Sequence, residues 1–538
     1  IRDKGGTFIG CRMGRPEAAK PRKMVGDPMT LFPIGTYGGS TRSINKAAEN
    51  FGTIEVEMAD FINTESGKIE EQAFSRARGK RNVLKKNPKD GAIAFSKRKI
   101  ELEKIFSAAS ESLGVPLPPL VKGVKGLINA GKVPEPIEKG ILRARQGLHI
   151  FRDGTIRFEL LNAPLTHFKP AEIGLSVEKA KGLGYAKDFE GRELVSAEQI
   201  CEIFPQDIIV NETAGEFFVR VSKFVDEELE KFYGLESHYN FDSKDQLIGE
   251  IFLGLAPHTS AAVVARLIGF TKAKVNFAHP YFHLAKRRNA DGDQDSIMLL
   301  MDALLNFSRL YLSSSRGGRM DAPLVFTVLI NPSEIDDEVY EVETCAEYPL
   351  ELYGKSLTFS GPEDVKIPII KERIGKKGQY TGFGFTHSTS VFDVGPKMSS
   401  YVKLQSMEDK MSAQAELQGK IRAVDKKDAL ERVLVSHFLP DIIGNARAFS
   451  RQAFRCSKCN AKFRRIPLSG KCTSCGEDKL ILTIAQGSVR KYLEIAKGMI
   501  NSYGLSPYLK QRISLVEKEI DSVFTNEKAQ QKSLFEFV

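Results

Sequence analysis

The sequence predicts an α+β protein of several domains, with a four-cysteine zinc ribbon and helices near its C-terminal end. At 538 residues the chain is long enough for about three to five domains. Its apolar fraction of 42% suffices for hydrophobic cores, which excludes wholesale disorder. Short strand-like and helix-like patterns are interspersed along the chain, and four of its seven cysteines fall in one segment.

No uncharged apolar run reaches about 18 residues, so a membrane-spanning helix is not expected. The nearest candidate, residues 251–270, contains His258 and Arg266 and is predicted to be a buried segment. The chain starts at Ile1 without an initiator Met or a signal peptide. We therefore expect a piece cut from a longer protein.

Local patterns predict the elements of the first half in order. Residues 1–45 are basic and glycine-rich, and their prolines prevent a long helix. A helix is predicted over 97–113 and a proline-rich connector over 115–136. Two strand patterns flank the turn pair Asp153-Gly154, which predicts a β-hairpin over 148–161.

The second half is predicted to be mainly helical, with one further strand and a C-terminal tail. Helical periodicity and apolar runs give the following expectations: a helix over 215–235, a strand over 324–330, a helix over 421–438, and two helices within 488–523 that break near Gly504 and Pro507.

The net charge of +10 is concentrated in one segment, the basic block Arg76–Lys99. It holds ten basic residues and a single acid, Asp90, for a net charge of +9. Gly79, Pro88 and Gly91 predict loop-rich structure there. Two interpretations remain open: a contact with nucleic-acid phosphates, or a solvated loop.

Four cysteines follow the pattern C-x2-C-x12-C-x2-C, which is the spacing of a structural zinc ribbon. A disulfide framework is less favoured because the rest of the chain is poor in cysteine. The other three cysteines are predicted to be buried apolar residues. The four predicted zinc ligands are Cys456, Cys459, Cys472 and Cys475.

Asp291, Asp293 and Asp295 alternate along the chain, so on an extended backbone they point to the same side. Converging carboxylates repel one another and require cations, and oxygen ligands favour Mg²⁺ or Mn²⁺. Basic residues just upstream can hold phosphates. The pattern therefore indicates phosphoryl or nucleotidyl transfer. The upstream basic residues are Lys286, Arg287 and Arg288.

Two other interpretations of these aspartates remain open. A calcium loop fits the first half of the pattern, but Ser296 stands where glycine is needed and Asp302 replaces the bidentate glutamate. A predicted helix over 297–307 also shortens such a loop. The second alternative is a solvated acidic turn that precedes this helix.

The run Asn289-Ala290-Asp291-Gly292-Asp293 resembles the N-A-D-x-D metal loop of two-barrel polymerases. With the surrounding motifs, the chain resembles the large subunit of the archaeal D-family DNA polymerases over its whole length. The supporting motifs are the ribbon, Gly14–Glu17, His258–Ser260, His279–Asp295, Ser315–Leu324, His437–Asp441 and Arg447–Arg451.

The resemblance implies template-directed DNA synthesis on a double-psi β-barrel core, with Asp291 and Asp293 as magnesium ligands and Asp295 in the same loop. It also implies a smaller subunit that carries a 3′–5′ exonuclease, and a location in the archaeal cytoplasm at the nucleoid. This chain would be the C-terminal half. Residues implied to face the primer or the incoming dNTP are Arg15, Lys20, Lys23 and Asn289, although Ala18 departs from the family pattern.

The resemblance also implies an order of domains. We expect a basic loop motif completing the first barrel (1–45), a basic insertion and connector (46–140), a β-hairpin and helical intermediate region (141–240), the second barrel (241–400), a helical connector (401–445), the zinc ribbon (446–485), C-terminal helices (486–528) and a tail (529–538).

The tail resembles a peptide that binds the sliding clamp PCNA. Gln531, Leu534 and Phe537 have the spacing of that motif, whereas Val538 departs from its second aromatic position. Two alternatives to DNA synthesis remain open. One is a non-catalytic scaffold, which the crowded carboxylates disfavour, and the other is an RNA polymerase. Primer-template DNA and dNTPs are the expected substrates.

Overall fold

The described residues of a computed structural model form two compact units, one within 18–399 and one within 400–524. The structure describes residues 18–64, 66–70, 74–75, 80–288, 292–384, 398–421, 424–457, 459 and 461–524.

Six strands of the first unit close into a β-barrel. Around the barrel they follow the order β1–β5–β2–β4–β3–β6 and return to β1. The pairs β1–β5 and β2–β4 are parallel, and the other four are antiparallel. The strands are β1 Phe158–Pro164, β2 Asp207–Asn211, β3 Ile251–Leu255, β4 Ala261–Thr271, β5 Val275–Ala278 and β6 Gln294–Leu299.

The barrel core is packed by two helices. The helix Glu212–Glu227 begins where the Asn211 side chain accepts a bond from the backbone of the first turn, and it buries an aromatic face. The helix Pro280–Ala285 lies between β5 and β6 in the chain and brings Phe282 against β3. A Cβ atom added to Gly254 would lie 2.7 Å from the Phe282 ring, so this close approach requires glycine.

Two further strands extend the barrel sheet. The strand Ala19–Pro21 pairs antiparallel with β1, and Val325–Thr327 pairs parallel with β4. Other strands of this unit are Thr53–Ala59, Phe61–Ile62, Ile69–Glu70, Phe74–Ser75, Lys80–Arg81, Val83–Leu84, Phe95–Glu101, His167–Phe168 and Cys201–Glu202. Its other helices include Ile44–Phe51, Leu102–Leu113, Ile137–Arg145, Val177–Gly182, the π-helix Glu228–Tyr233, Leu300–Asn306, Arg316–Arg319 and Leu350–Leu357.

The second unit is a helical bundle with a small sheet. Its buried residues come mainly from apolar faces of the long helices. The helices are Ser400–Lys403, Met407–Lys420, Lys426–Val433 with its π-helical continuation Leu434–Phe438, Leu439–Arg451, Gln486–Tyr503 and Pro507–Phe524, and the strands are Phe454–Cys456, Lys462–Phe463 and Leu480–Ile481.

The α+β class and the helices within 215–235, 421–438 and 488–523 are confirmed. The predicted hairpin over 148–161 is wrong, because only Phe158–Pro164 is a strand. The backbone before it is bonded elsewhere: Ile156 N–H donates to the Asp302 carboxylate at 2.7 Å. Phe151 N–H donates to the Thr155 carbonyl across the turn at 2.8 Å, but Ile150 N–H donates to the Pro28 carbonyl, so the ladder does not continue.

The helix predicted over 97–113 starts only at Leu102. The residues before it form the strand Phe95–Glu101, because they pair with Thr53–Ala59. The predicted strand over 324–330 is shortened to Val325–Thr327. The predicted helix over 297–307 is the helix Leu300–Asn306, since the residues before it complete β6.

Two of the six barrel strands, β1 and β2, come from residues before 241, where the sequence suggested an intermediate region. Among the residues that the structure describes, no helix combines the length and the apolar character needed to cross a membrane.

Candidate active site

The acidic segment joins the helix Pro280–Ala285 to β6. Asp293 directly precedes β6, and its carboxylate lies 3.1 Å from the Arg288 guanidinium. Its backbone carbonyl accepts a 2.7 Å hydrogen bond from Asn162 N–H of β1. These bonds fix Asp293 at the start of β6. The predicted residues Asn289 and Asp291 lie outside the described residues.

Asp295, the second residue of β6, is buried and paired with the Lys286 ammonium. Burial raises the pKa of the Asp295 carboxyl and lowers the pKa of Lys286, while the mutual attraction of the two groups opposes both shifts. The ammonium also lies 3.4 Å from His283 Nδ1 and 4.3 Å from the centre of the Phe282 ring. Asp295 is therefore held inside the protein by a buried ion pair.

Lys286 was expected from the sequence to meet phosphates, but its side chain is 0% exposed. It follows a helix that packs on the barrel, and it points to the same side as Phe282 four residues earlier. Its charge serves Asp295 rather than a ligand in solvent. The neighbouring Arg287 is exposed, has a positive φ of 59°, and donates to the Glu334 carbonyl at 3.3 Å.

Basic residues flank the opposite edge of β1. Lys20 is exposed and lies opposite Glu159 of β1. On the other edge of β1, Ser296 of β6 lies opposite the same Glu159. Arg22 forms an ion pair with Glu159, and exposed Lys23 lies 3.7 Å from Asp27. The predicted Arg15 lies outside the described residues.

Sequence reasoning did not single out Arg22, Arg157 or Asp321. All three line a small cavity beside β6, together with Glu159 and Gln294. Asp321 lies within the motif Ser315–Leu324, but its role was not visible there. The bonds Arg22–Glu159 and Arg157–Asp321 join segments more than 130 residues apart.

The four cysteines of the ribbon come together as predicted. One ligand atom from each lies within 4.8 Å of the others, and this is the only such cluster found in the described part of the chain. Two pairs of sulfur atoms, Cys456–Cys475 and Cys459–Cys472, lie 3.5 Å apart. That exceeds the roughly 2.05 Å of a disulfide and suits thiolates around one zinc ion with Zn–S bonds of about 2.3 Å. The cluster could therefore hold zinc.

The described part of the basic block is partly neutralised by its neighbours. In the paired strands Thr53–Ala59 and Phe95–Glu101, Lys97 stands opposite Glu57 and Lys99 opposite Glu55. Arg98 is bonded to Asp60 at 3.1 Å. Opposite charges across a strand pair stabilise the sheet locally. The formal charge of the block therefore overstates what is available to a polyanion.

The barrel with its acidic segment and the cysteine cluster define an α+β protein with four cysteines that could hold zinc. The family model for the catalytic domain of the DNA polymerase II large subunit DP2 matches residues 116–410, and the model for its central domain matches residues 1–91.

Several archaeal proteins are similar to the chain. It is 47% identical to the DNA polymerase II large subunit of Pyrococcus furiosus over 97% of the chain. It is 48% identical to that of Methanothermobacter thermautotrophicus and 45% identical to that of Archaeoglobus fulgidus, in each case over 100% of the chain. The chain belongs to the large-subunit family of the archaeal D-family DNA polymerases.

The chain spans about half the length of these curated relatives, covering 43%, 48% and 49% of them respectively. The central-domain match extends to residue 91 and so includes most of the basic block.

Proposed function

We propose that this chain carries the catalytic part of template-directed DNA synthesis, in which a nucleotidyl group passes from a dNTP to the 3′-hydroxyl of a primer. The observation that carries the proposal is Asp293, held at the start of β6 beside Arg288 in a chain of this polymerase family. The protein would act as the large subunit of the archaeal replicative polymerase.

Asp291 and Asp293 are the proposed ligands of Mg²⁺ or Mn²⁺. The donor chemistry fits, because carboxylate oxygens suit these ions and Asp293 is already paired with a cationic group. Bound there, the ion would supply positive charge for attack on the α-phosphate and for the departing pyrophosphate. Asp295 does not share this role in the proposal, because its charge is matched by Lys286.

The chain's own residues would orient the reactants. Arg288 can exchange its contact with Asp293 for a phosphate of the dNTP. The exposed Arg287 and Lys20 lie on segments bonded to the barrel and can neutralise further phosphates. We extend the phosphate-binding role to Arg15, Lys23 and Asn289 from the sequence motif alone.

We further propose that the barrel is of the double-psi type and is the second of two, with residues 1–45 contributing to the first barrel of the core. Six strands with two parallel pairs in a closed ring support the first part. The proposed partners are primer-template DNA, dNTPs, a smaller subunit with 3′–5′ exonuclease activity, and the sliding clamp PCNA through Gln531, Leu534 and Phe537, which lie outside the described residues. The expected location is the archaeal cytoplasm, at the nucleoid.

The test uses the full-length large subunit assembled with its partner subunit. Asp291→Asn and Asp293→Asn should each lower the rate of primer extension by about a thousandfold while leaving affinity for primer-template DNA unchanged. Extension near the wild-type rate with DNA bound would exclude the assignment. Incorporation of dNTPs in preference to rNTPs separates a DNA polymerase from an RNA polymerase.

A further inference from the structure

A loop that carries two arginines is fastened to the turn between β3 and β4. We call residues 315–324 the arginine loop. Asp321 N–H donates to the Thr259 carbonyl at 2.8 Å, and the Asp321 carboxylate accepts from His258 N–H. The turn follows Leu255, which pairs with Ser296 of β6. The arginine loop is thus fixed at the end of the barrel where β6 begins.

Two further arginines fasten the same loop to β1. Arg157, the residue before β1, donates to the Asp321 carbonyl at 2.9 Å, and Arg152 lies 3.5 Å from the Asp321 carboxylate. Arg157 is itself buried, bonded to Asp153 at 2.5 Å and stacked 4.3 Å from the centre of the Phe151 ring. These bonds hold Asp321 in the left-handed region at φ 56°, which a non-glycine residue rarely adopts.

The loop presents two guanidinium groups to solvent. Arg316 and Arg319 are three residues apart in a short helix, so they share a face. Both are exposed, and neither makes an ion pair among the described residues. Arg152 and Arg157, by contrast, each face an aspartate. Within the part of the chain that the structure describes, the charge that the loop presents outward is therefore not compensated by an acidic side chain.

Gly317, between these arginines, has no structural requirement to be glycine. A Cβ atom there would meet no atom of the described residues within 4 Å, and its φ is not positive. At Gly318, by contrast, a Cβ atom would lie 2.4 Å from that of Ser313. Glycine at an open position permits close approach of a ligand to the backbone. Two exposed guanidinium groups beside an open glycine backbone fit a sugar–phosphate chain.

We propose that the arginine loop clamps the nucleic-acid backbone at the β6 end of the barrel. Arg316 and Arg319 contact phosphates, and Asp321 is a positioning residue that holds the loop in place. The nucleic-acid ligand rests on the proposed function. The role of the arginine loop is tested by DNA affinity alone, whereas the proposed function is tested by the rate of primer extension. The failure of one proposal is therefore distinguishable from the failure of the other.

The first test measures affinity of the full-length assembled protein for primer-template DNA, without nucleotides, over a range of salt concentrations. The double variant Arg316→Gln/Arg319→Gln should bind more weakly, and its plot of log affinity against log salt should be shallower by about two, the contribution of two phosphate contacts. Lys179→Gln removes an exposed charge from the helix Val177–Gly182 and serves as the matched control, with a slope expected at the wild-type value. A double variant with the wild-type slope would overturn the proposal.

The second test separates positioning from folding. Asp321→Ala loses the acceptor for His258 N–H and should show the same shallow slope as the double arginine variant. Asp321→Asn keeps that acceptor and tolerates a positive φ, so it should restore the slope. A wild-type slope for Asp321→Ala would remove Asp321 from the proposal. The double arginine variant alters only exposed side chains and stays informative if Asp321→Ala fails to fold.

Discussion

Lys286 and Asp295 form an ion pair inside the protein, with side chains that are 0% and 1% exposed. One follows the helix Pro280–Ala285 and the other lies in β6, so the pair spans the acidic segment that contains Asp293. A buried pair contributes little net stability over an apolar pair, but loss of one partner leaves an uncompensated charge. The pair therefore constrains the two ends of the proposed catalytic loop.

Lys286→Met should destabilise the barrel by about 3–5 kcal/mol, because the Asp295 carboxylate would remain buried without its cation. Urea unfolding followed by hydrogen exchange of β6 measures the loss. The double variant Lys286→Met/Asp295→Leu removes both charges and should recover much of it. Equal stability of the single variant and the wild type would contradict the prediction.

Stability should depend on the protonation of Asp302. Burial raises the pKa of its carboxyl from 3.8 to about 7, against the opposing bond from Ile156 N–H and the charge of Arg143. The folded protein then holds a proton that the unfolded chain has lost. The stabilisation is complete below about pH 4 and is lost as the pH rises to 7, at up to about 1.4 kcal/mol per pH unit.

Asp302→Asn is the comparison for this pH dependence, since it keeps an acceptor for Ile156 N–H but cannot ionise. The unfolding free energy of the wild type should fall relative to that of the variant as the pH rises from 4 to 7, because only the wild type has to bury an ionised carboxylate. A difference that stays constant over this range would show that Asp302 does not titrate there.

Removal of zinc should unfold the ribbon alone. Cys459→Ser leaves three thiolates for a tetrahedral ion, so bound zinc measured by mass spectrometry should fall by one equivalent. Hydrogen exchange should increase in Phe454–Cys456 and its paired strands, and β1 to β6 should keep their protection. Cys201→Ser, at a cysteine outside the cluster, controls for loss of a thiol. Full zinc content in Cys459→Ser would exclude this site.

Lys97→Gln/Lys99→Gln should change DNA affinity less than twofold and leave its salt slope unaltered. Both lysines face glutamates across the strand pair, so they have few counterions to release. This variant is compared with Lys85→Gln/Lys86→Gln/Lys89→Gln, which changes three lysines of the same block. For these three, no ion pair is found among the described residues. A shallower slope for the first variant would show that Lys97 and Lys99 do contact DNA.

Local chemistry in the sequence accounts for the features that were predicted correctly. The spacing of Cys456, Cys459, Cys472 and Cys475 determines a ligand set without reference to the rest of the fold. Gly504 ends one helix in a left-handed cap, as its position indicated.

Contacts between residues that are distant in the chain account for the features that the sequence did not predict. The role of Lys286 depends on Asp295 across the loop and on packing of its helix against β3, neither of which periodicity reveals. The predicted hairpin is wrong because Ile156 N–H donates to the carboxylate of Asp302, which lies 146 residues later in the chain. The positioning role of Asp321 was not visible in its motif because its partners lie on two distant segments, Arg152 and Arg157 before β1 and His258 after β3.

The central claim is that Asp293 holds a divalent cation for nucleotidyl transfer. The most direct measurement is the single-turnover rate of primer extension by the full-length assembled protein as a function of Mn²⁺ concentration. Asp293→Asn should lower the maximal rate by about a thousandfold, equivalent to ~4 kcal/mol, and raise the Mn²⁺ concentration for half-activation. Asp245→Asn, at an exposed aspartate, should match the wild type. Wild-type rate and wild-type Mn²⁺ dependence in Asp293→Asn would contradict the account.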